Sequence, residues 1–186
     1  MDTRFFKVLA AAAALTLAGL STVAGAAEPE WAYPAIPGYG RMHPLPHAAM
    51  QPDKSTTYKT VFDVTKALTD PAKPSASLDR VAKVVNIFAS AGVPLAHLQF
   101  VAVLHGPATY AVLDNAHYRA KYHMDNPNIA LIAALKKAGV DVEVCGQALA
   151  ELNLEHAWVN KDVTITLSAL SDVIIYGQKG YTLIQL

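Results

Sequence analysis

Hydrophobic and polar positions change rhythm repeatedly along the chain, and each change marks an element. Tyr58–Val64, "YKTVFDV", is a candidate first strand. After a loop at "DPAKPSAS", the stretch "SLDRVAKVVNIFASAG" spaces its apolar residues as a helix does. Leu78, Val81, Val85 and Phe88 share one face there, and Gly92 suits the C-terminal stop. "HLQFVAVLHG" is an unbroken apolar run, the pattern of a central strand covered on both faces. Pro107 then opens a helix at its favoured first position, with Gly106 as the cap. The polar stretch "DNAHYRAKYHMDNP" reads as a solvated loop. "NPNIALIAALKKAGV" reads as a helix capped by Asn126 or Asn128 and ended by Gly139. "VDVEVC" is a third strand and "GQALAELNL" the helix that leaves it. "DVTITLSAL" predicts a fourth strand with Val163, Ile165 and Leu167 alternating. "SALSDVIIYGQKG" is the last helix, stopped by Gly180, and "YTLIQL" a fifth strand.

Strands separated by helices imply right-handed crossovers, hence a mainly parallel sheet with helices on both faces. The expected fold class is α/β in one domain, residues 58–186, without internal repeats. Ahead of it, residues 27–57 are interrupted too often by proline and glycine for helix or strand, and read as an extended arm. Trp31, Tyr33 and Tyr39 are unusual in a pure linker. They fit an arm docked on its own domain or on a neighbouring subunit, the alternative being a mobile tail.

The first 26 residues have the three-part layout of a secretory signal peptide. Arg4 and Lys7 lie in a short polar region, an apolar run follows from Val8 to Leu20, and Ala24-Gly25-Ala26 offers a cleavage site. The run falls short of the roughly 20 residues a membrane span needs, so no stable membrane anchor is expected. The expected location is outside the cytoplasm, most simply the periplasm. Lys plus Arg and Asp plus Glu each number 15, and no basic block stands out. A nucleic-acid partner therefore has no electrostatic footprint here.

Export sharpens the question posed by Cys145, the only cysteine. It has no partner for an internal disulfide, so it is either buried and inert or a free thiol with a purpose. Ligands of parallel sheets bind at the carboxyl ends of strands, and two chemistry-bearing residues fall there: His105 in "VLHGPA" and Cys145 in "EVCGQAL". Both precede a glycine, which lets backbone N–H groups approach a ligand. Alternation puts Val140, Val142 and Val144 on one face of the third strand and Asp141, Glu143 and Cys145 on the other. That second face is expected to be wet or covered by a partner, with Asp141 and Glu143 as the exposed edge of a strand. A helix N-terminus just beyond Cys145 favours a thiolate, and His105 can accept its proton if the two strands are neighbours. The inert alternatives are a buried cysteine acting as a small hydrophobe and a histidine that ties down its loop.

"FVAVLHGPA", "LKKAGVDVEVCGQAL" and "SDVIIYGQKGYTLI" together resemble the DsrE/DsrF-like family over most of residues 58–186. The resemblance implies a three-layer α/β/α fold with a five-stranded parallel sheet, adjacent second and third strands, and homo-oligomers, either trimers or hexamers. It further implies a sulfur relay, with a persulfide carried on Cys145 and His105 close by. Donor and acceptor thiols stay unidentified, and an exported protein would lack cytoplasmic carriers. A non-catalytic binding module and a metal or haem protein are the alternatives. For the latter, His117 and His123, joined by His105 and Cys145, or His43 and His47, would supply ligands, although their spacing matches no familiar pattern. No Cys-x-x-Cys, glycine-rich phosphate loop, His-Glu-x-x-His or serine elbow is present, and no cofactor or metal is expected.

Overall fold

The five apolar runs pair side by side in a computed structural model that describes residues 30–186. The strands are β1 (Tyr58–Val64), β2 (Leu98–Leu104), β3 (Val140–Cys145), β4 (Thr164–Thr166) and β5 (Thr182–Gln185). Their order across the sheet is β4-β3-β2-β1-β5, and every neighbouring pair is parallel. The α-helices are α1 (Ala76–Ser90), α2 (Asn115–Tyr122), α3 (Asn128–Lys137), α4 (Gly146–Glu151) and α5 (Ala169–Gln178). The signal-peptide segment lies outside the described residues. Among those described, no helix is long and apolar enough to cross a membrane.

The two faces of the sheet are covered unequally. On one, Phe62, Val64, Phe100, Leu104, Val142 and Val144 pack against α1 through Leu78, Val81 and Val85, and against α3 through Leu131, Ile132 and Leu135. Each fully buried side chain of this kind stabilises the fold by about 2 kcal/mol, so most of the hydrophobic stabilisation lies on this face. On the other, Val61, Val101, Val103 and Cys145 meet α4 at Ala148 and α5 at Ala169, with Val173 and Tyr176 packed alongside. The architecture is three-layer α/β/α.

Several local expectations change. "DNAHYRAKYHMDNP" is not a loop: α2 forms within it, with Asp114 accepting the His117 N–H at its start and His123 closing it in the left-handed region at φ 60°. Pro107 opens a 3-10 turn, Gly106–Val112, whose cap position is held by His105 and not by Gly106. Pro127 occupies the position before α3, leaving Asn126 and Asn128 free for other work. Asn126 donates to the carbonyls of Ala111 and Leu113, and Asn128 Oδ1 accepts the Ser75 N–H. The fourth strand is shorter than its alternation suggested, and Leu167 lies exposed beyond its end.

The proline-rich arm docks on its own domain. Ile36 and Met42 are buried, and an antiparallel bridge joins Ala32 to Met42. Asn86, buried on α1, clasps the arm from both ends of its amide. Its Oδ1 accepts from Ala35 N and Ile36 N, and its Nδ2 donates to the carbonyls of Tyr39 and Gly40. Gly40 is required at the contact: a Cβ there would lie 2.1 Å from Lys83 N.

Candidate functional site

Cys145 ends β3 and serves as the N-cap of α4, its Sγ accepting the Ala148 N–H at 3.4 Å. The turn depends on Gly146, where a Cβ would sit 2.6 Å from the Thr166 carbonyl oxygen. The thiol is not on a wet face: Cys145 is 5% exposed, roofed by the chain's own α5. Burial here is compatible with a hydrogen bond to sulfur because the donor belongs to the next helix's first turn, whose N–H groups have no intrahelical acceptor.

β2 lies next to β3, paired up to Leu104 opposite Val144. The next step of that register sets His105 opposite Cys145, and both point to the α5 side of the sheet, as paired residues in parallel strands share a face. His105 is tied to a third strand: its Nε2 lies 2.6 Å from Asp63 Oδ1, on β1. An ionised carboxylate only accepts, so Nε2 carries the hydrogen and Nδ1 of the neutral ring is left as an acceptor. The hydrogen-bonded pair is partly open, with side-chain exposures of 29% for His105 and 14% for Asp63. Asp63 escaped the sequence reading, since its partner is 42 residues away and "YKTVFDV" offers nothing but a lone polar residue in a strand.

Two further polar pairs lie under α5. Asp141 is exposed, as anticipated, but Glu143 is not: it is 7% exposed, because β3 is an interior strand and α5 crosses that face. Tyr176 donates from its hydroxyl to Glu143 Oε1 at 2.8 Å, while Glu143 Oε2 is buried without a hydrogen-bond partner. Burial pushes the Glu143 carboxyl up from its ordinary value, the nearby charges of Asp172 and Asp141 add to this, and the Tyr176 hydrogen bond only partly offsets it. Burial and the same carboxyl raise the Tyr176 phenol. Beside them, Thr166, the register partner of Cys145, donates to Asp172 on α5.

Of the other candidate histidines, His117 and His43 are engaged elsewhere. His117 Nδ1 lies 2.8 Å from Asp114 Oδ1, and its ring stacks on Trp158 at 4.5 Å. His43 meets the edge of Trp31 in the arm. Among the described residues, no group of three or more His, Cys, Asp or Glu side chains is arranged to hold a metal ion.

A thiol, an imidazole and a carboxylate at adjacent ends of parallel strands define an α/β protein with a rim site of the kind that open sheets place at their carboxyl edge. A family model for the DsrE/DsrF-like family matches residues 59–186, and the chain belongs to that family. Among solved structures, a protein of unknown function from Methanobacterium thermoautotrophicum, MTH1491, aligns at a TM-score of 0.50 with 14% identity, covering 69% of this chain and 99% of that one. The ychN protein of E. coli aligns at 0.46 with 16% identity over the same shares. A search of the curated proteins gives no match.

Proposed function

We propose that this is an exported sulfur-handling protein in which Cys145 carries sulfane sulfur as a persulfide or mixed disulfide. The observation that carries the reading is the seat of the sulfur. Sγ accepts a helix-start N–H from Ala148, on the strand adjacent to an imidazole whose tautomer Asp63 selects. Membership of the DsrE/DsrF-like family supports sulfur relay as the general role. In the proposed step, Cys145 gives its proton to His105 Nδ1 and attacks the outer sulfur of a donor persulfide. A new S–S bond forms on Cys145 and the donor's S–S bond breaks. The donor leaves as a thiolate that takes up the proton, so no oxidant is required.

Intact-mass measurement after polysulfide treatment tests this. The wild type is expected to gain sulfur atoms and Cys145→Ser to gain none; an equal adduct on both overturns the reading. Export rests on the N-terminal pattern alone, and the mature chain is expected to begin at Ala27 when its terminus is sequenced from cells.

A second reading, a binding module with an inert cysteine, is favoured by the 5% exposure of Cys145. It predicts that the folded protein resists alkylation at neutral pH. Both readings accommodate a homo-oligomer. What supports one is the apolar surface of α5 and β5, where Leu167, Leu170, Ile174, Leu183 and Ile184 are exposed.

A further inference from the structure

Glu143 is a buried acid under α5 that the sulfur step above leaves without a task. It lies two residues before Cys145 on the same face of β3, so their Cα atoms are about 6.7 Å apart. Both are more than nine-tenths buried, and the same helix roofs them. The carboxyl is half satisfied: Oε1 takes the Tyr176 hydroxyl, and Oε2 meets nothing. Among the described residues, no cation forms an ion pair with it. On its own strand it is flanked by Asp141 and Cys145. Its register partners are apolar Val103 on β2 and Thr164 on β4. From α5 come Asp172, Tyr176 and, at the C-terminal end, Lys179, which favours the charged form less than burial and the two aspartates oppose it. Farther along the rim stands the Asp63–His105 pair.

An ionised carboxylate in this position would be a buried charge with an unsatisfied oxygen, an arrangement folded proteins avoid. The neutral acid fits better, because the Tyr176 hydroxyl donates to the carbonyl oxygen and Oε2 carries the hydrogen. That leaves a buried donor lacking an acceptor, two residues along the same strand face from a thiol whose chemistry creates one. We infer that Glu143 is a neutral carboxylic acid whose Oε2–H donates a hydrogen bond to the anionic sulfur formed on Cys145, as thiolate or as persulfide. A carboxylic acid kept neutral by an apolar setting so that it can donate to a developing anion is an established device in other sites. The inference rests on Cys145 being the sulfur carrier, and it assigns the residue that steadies the negative charge there.

The test reads thiol alkylation by iodoacetamide, which needs no persulfide and so separates this claim from the relay itself. Glu143→Gln keeps a neutral donor of similar shape; Glu143→Leu removes the donor. With folding of each checked by circular dichroism, Glu143→Gln is expected to alkylate within about twofold of wild type at neutral pH. Glu143→Leu is expected to react about tenfold more slowly, the loss of one hydrogen bond to a charged group. A carboxylic-acid C=O stretch in infrared spectra, absent from Glu143→Gln, is expected at neutral pH. Faster alkylation in both variants would mean that Glu143 is a carboxylate repelling the thiolate. Unchanged rates in both would mean that it does not act on the sulfur. Either result overturns the inference.

Discussion

With Asp63 taking the Nε2–H of His105, the imidazole presents Nδ1 as a base, and this depends on a partner that only accepts. An asparagine at 63 could donate as readily as accept, so the ring would lose its fixed tautomer. Asp63→Asn is therefore expected to slow sulfur loading of Cys145 by about tenfold or more, read by time-resolved intact mass, without changing the fold. Glu143 makes a prediction of a different kind. Because burial raises its carboxyl, the folded state favours the protonated form. The stabilisation from that proton is fully present below the ordinary glutamate value of 4.5 and is lost as pH rises through the higher folded value. Urea midpoints should fall over that interval in wild type and lose this component in Glu143→Gln. Tyr176→Phe strips the remaining partner from the carboxyl and is expected to cost about 1–3 kcal/mol. Neither Asp63 nor Glu143 was legible as more than a polar strand residue. Period-two alternation sorts side chains to faces correctly, but it cannot say that a later helix will roof the polar face.

Elements whose ends carry their own chemistry were legible in the sequence. α1 has its apolar stripe, Ser75 accepting the Leu78 N–H at its start, and Gly92 at φ 83° just past its end. α2 is marked at its start, by Asp114, but it is eight residues long, mostly polar, and stops at a histidine in place of a glycine. Tertiary contacts hold it, with Tyr118 buried and its hydroxyl donating to the Pro71 carbonyl. The arm was legible as irregular chain but not as docked chain, since the clasp is a single asparagine in the middle of α1. Asn86→Ala is expected to destabilise the protein by about 3 kcal/mol, as several buried backbone groups lose their partners together. It should also expose residues 30–57 to proteolysis. Undiminished protease resistance would show that Ile36 and Met42 hold the arm without the clasp.

For the whole molecule, the contrast between the two faces of the sheet organises the account. The α1–α3 face is a deep hydrocarbon core, while the α5 face is thinner, holds the polar pairs, and continues outward into exposed leucines and isoleucines. Fold class follows from strand–helix alternation and handedness, which sequence pattern carries well; the order β4-β3-β2-β1-β5 does not, beyond the adjacency of β2 and β3 that the family resemblance implied. The proposed assembly does not, because apolar residues that a partner copy would cover look like core residues until the core is seen to be complete without them. Light scattering of the mature chain is expected to give a trimer or a hexamer, and Leu170→Glu with Ile174→Glu to give smaller species; a monomeric wild type would contradict that part of the proposal.

The central claim is that the Cys145 sulfur, although roofed by α5, remains chemically available. The most direct measurement compares its alkylation rate at neutral pH in the folded protein and in the same protein unfolded in urea. The account predicts a folded rate equal to or above the unfolded one. A folded rate suppressed by about a hundredfold or more, as for a sealed, inert thiol, would contradict it.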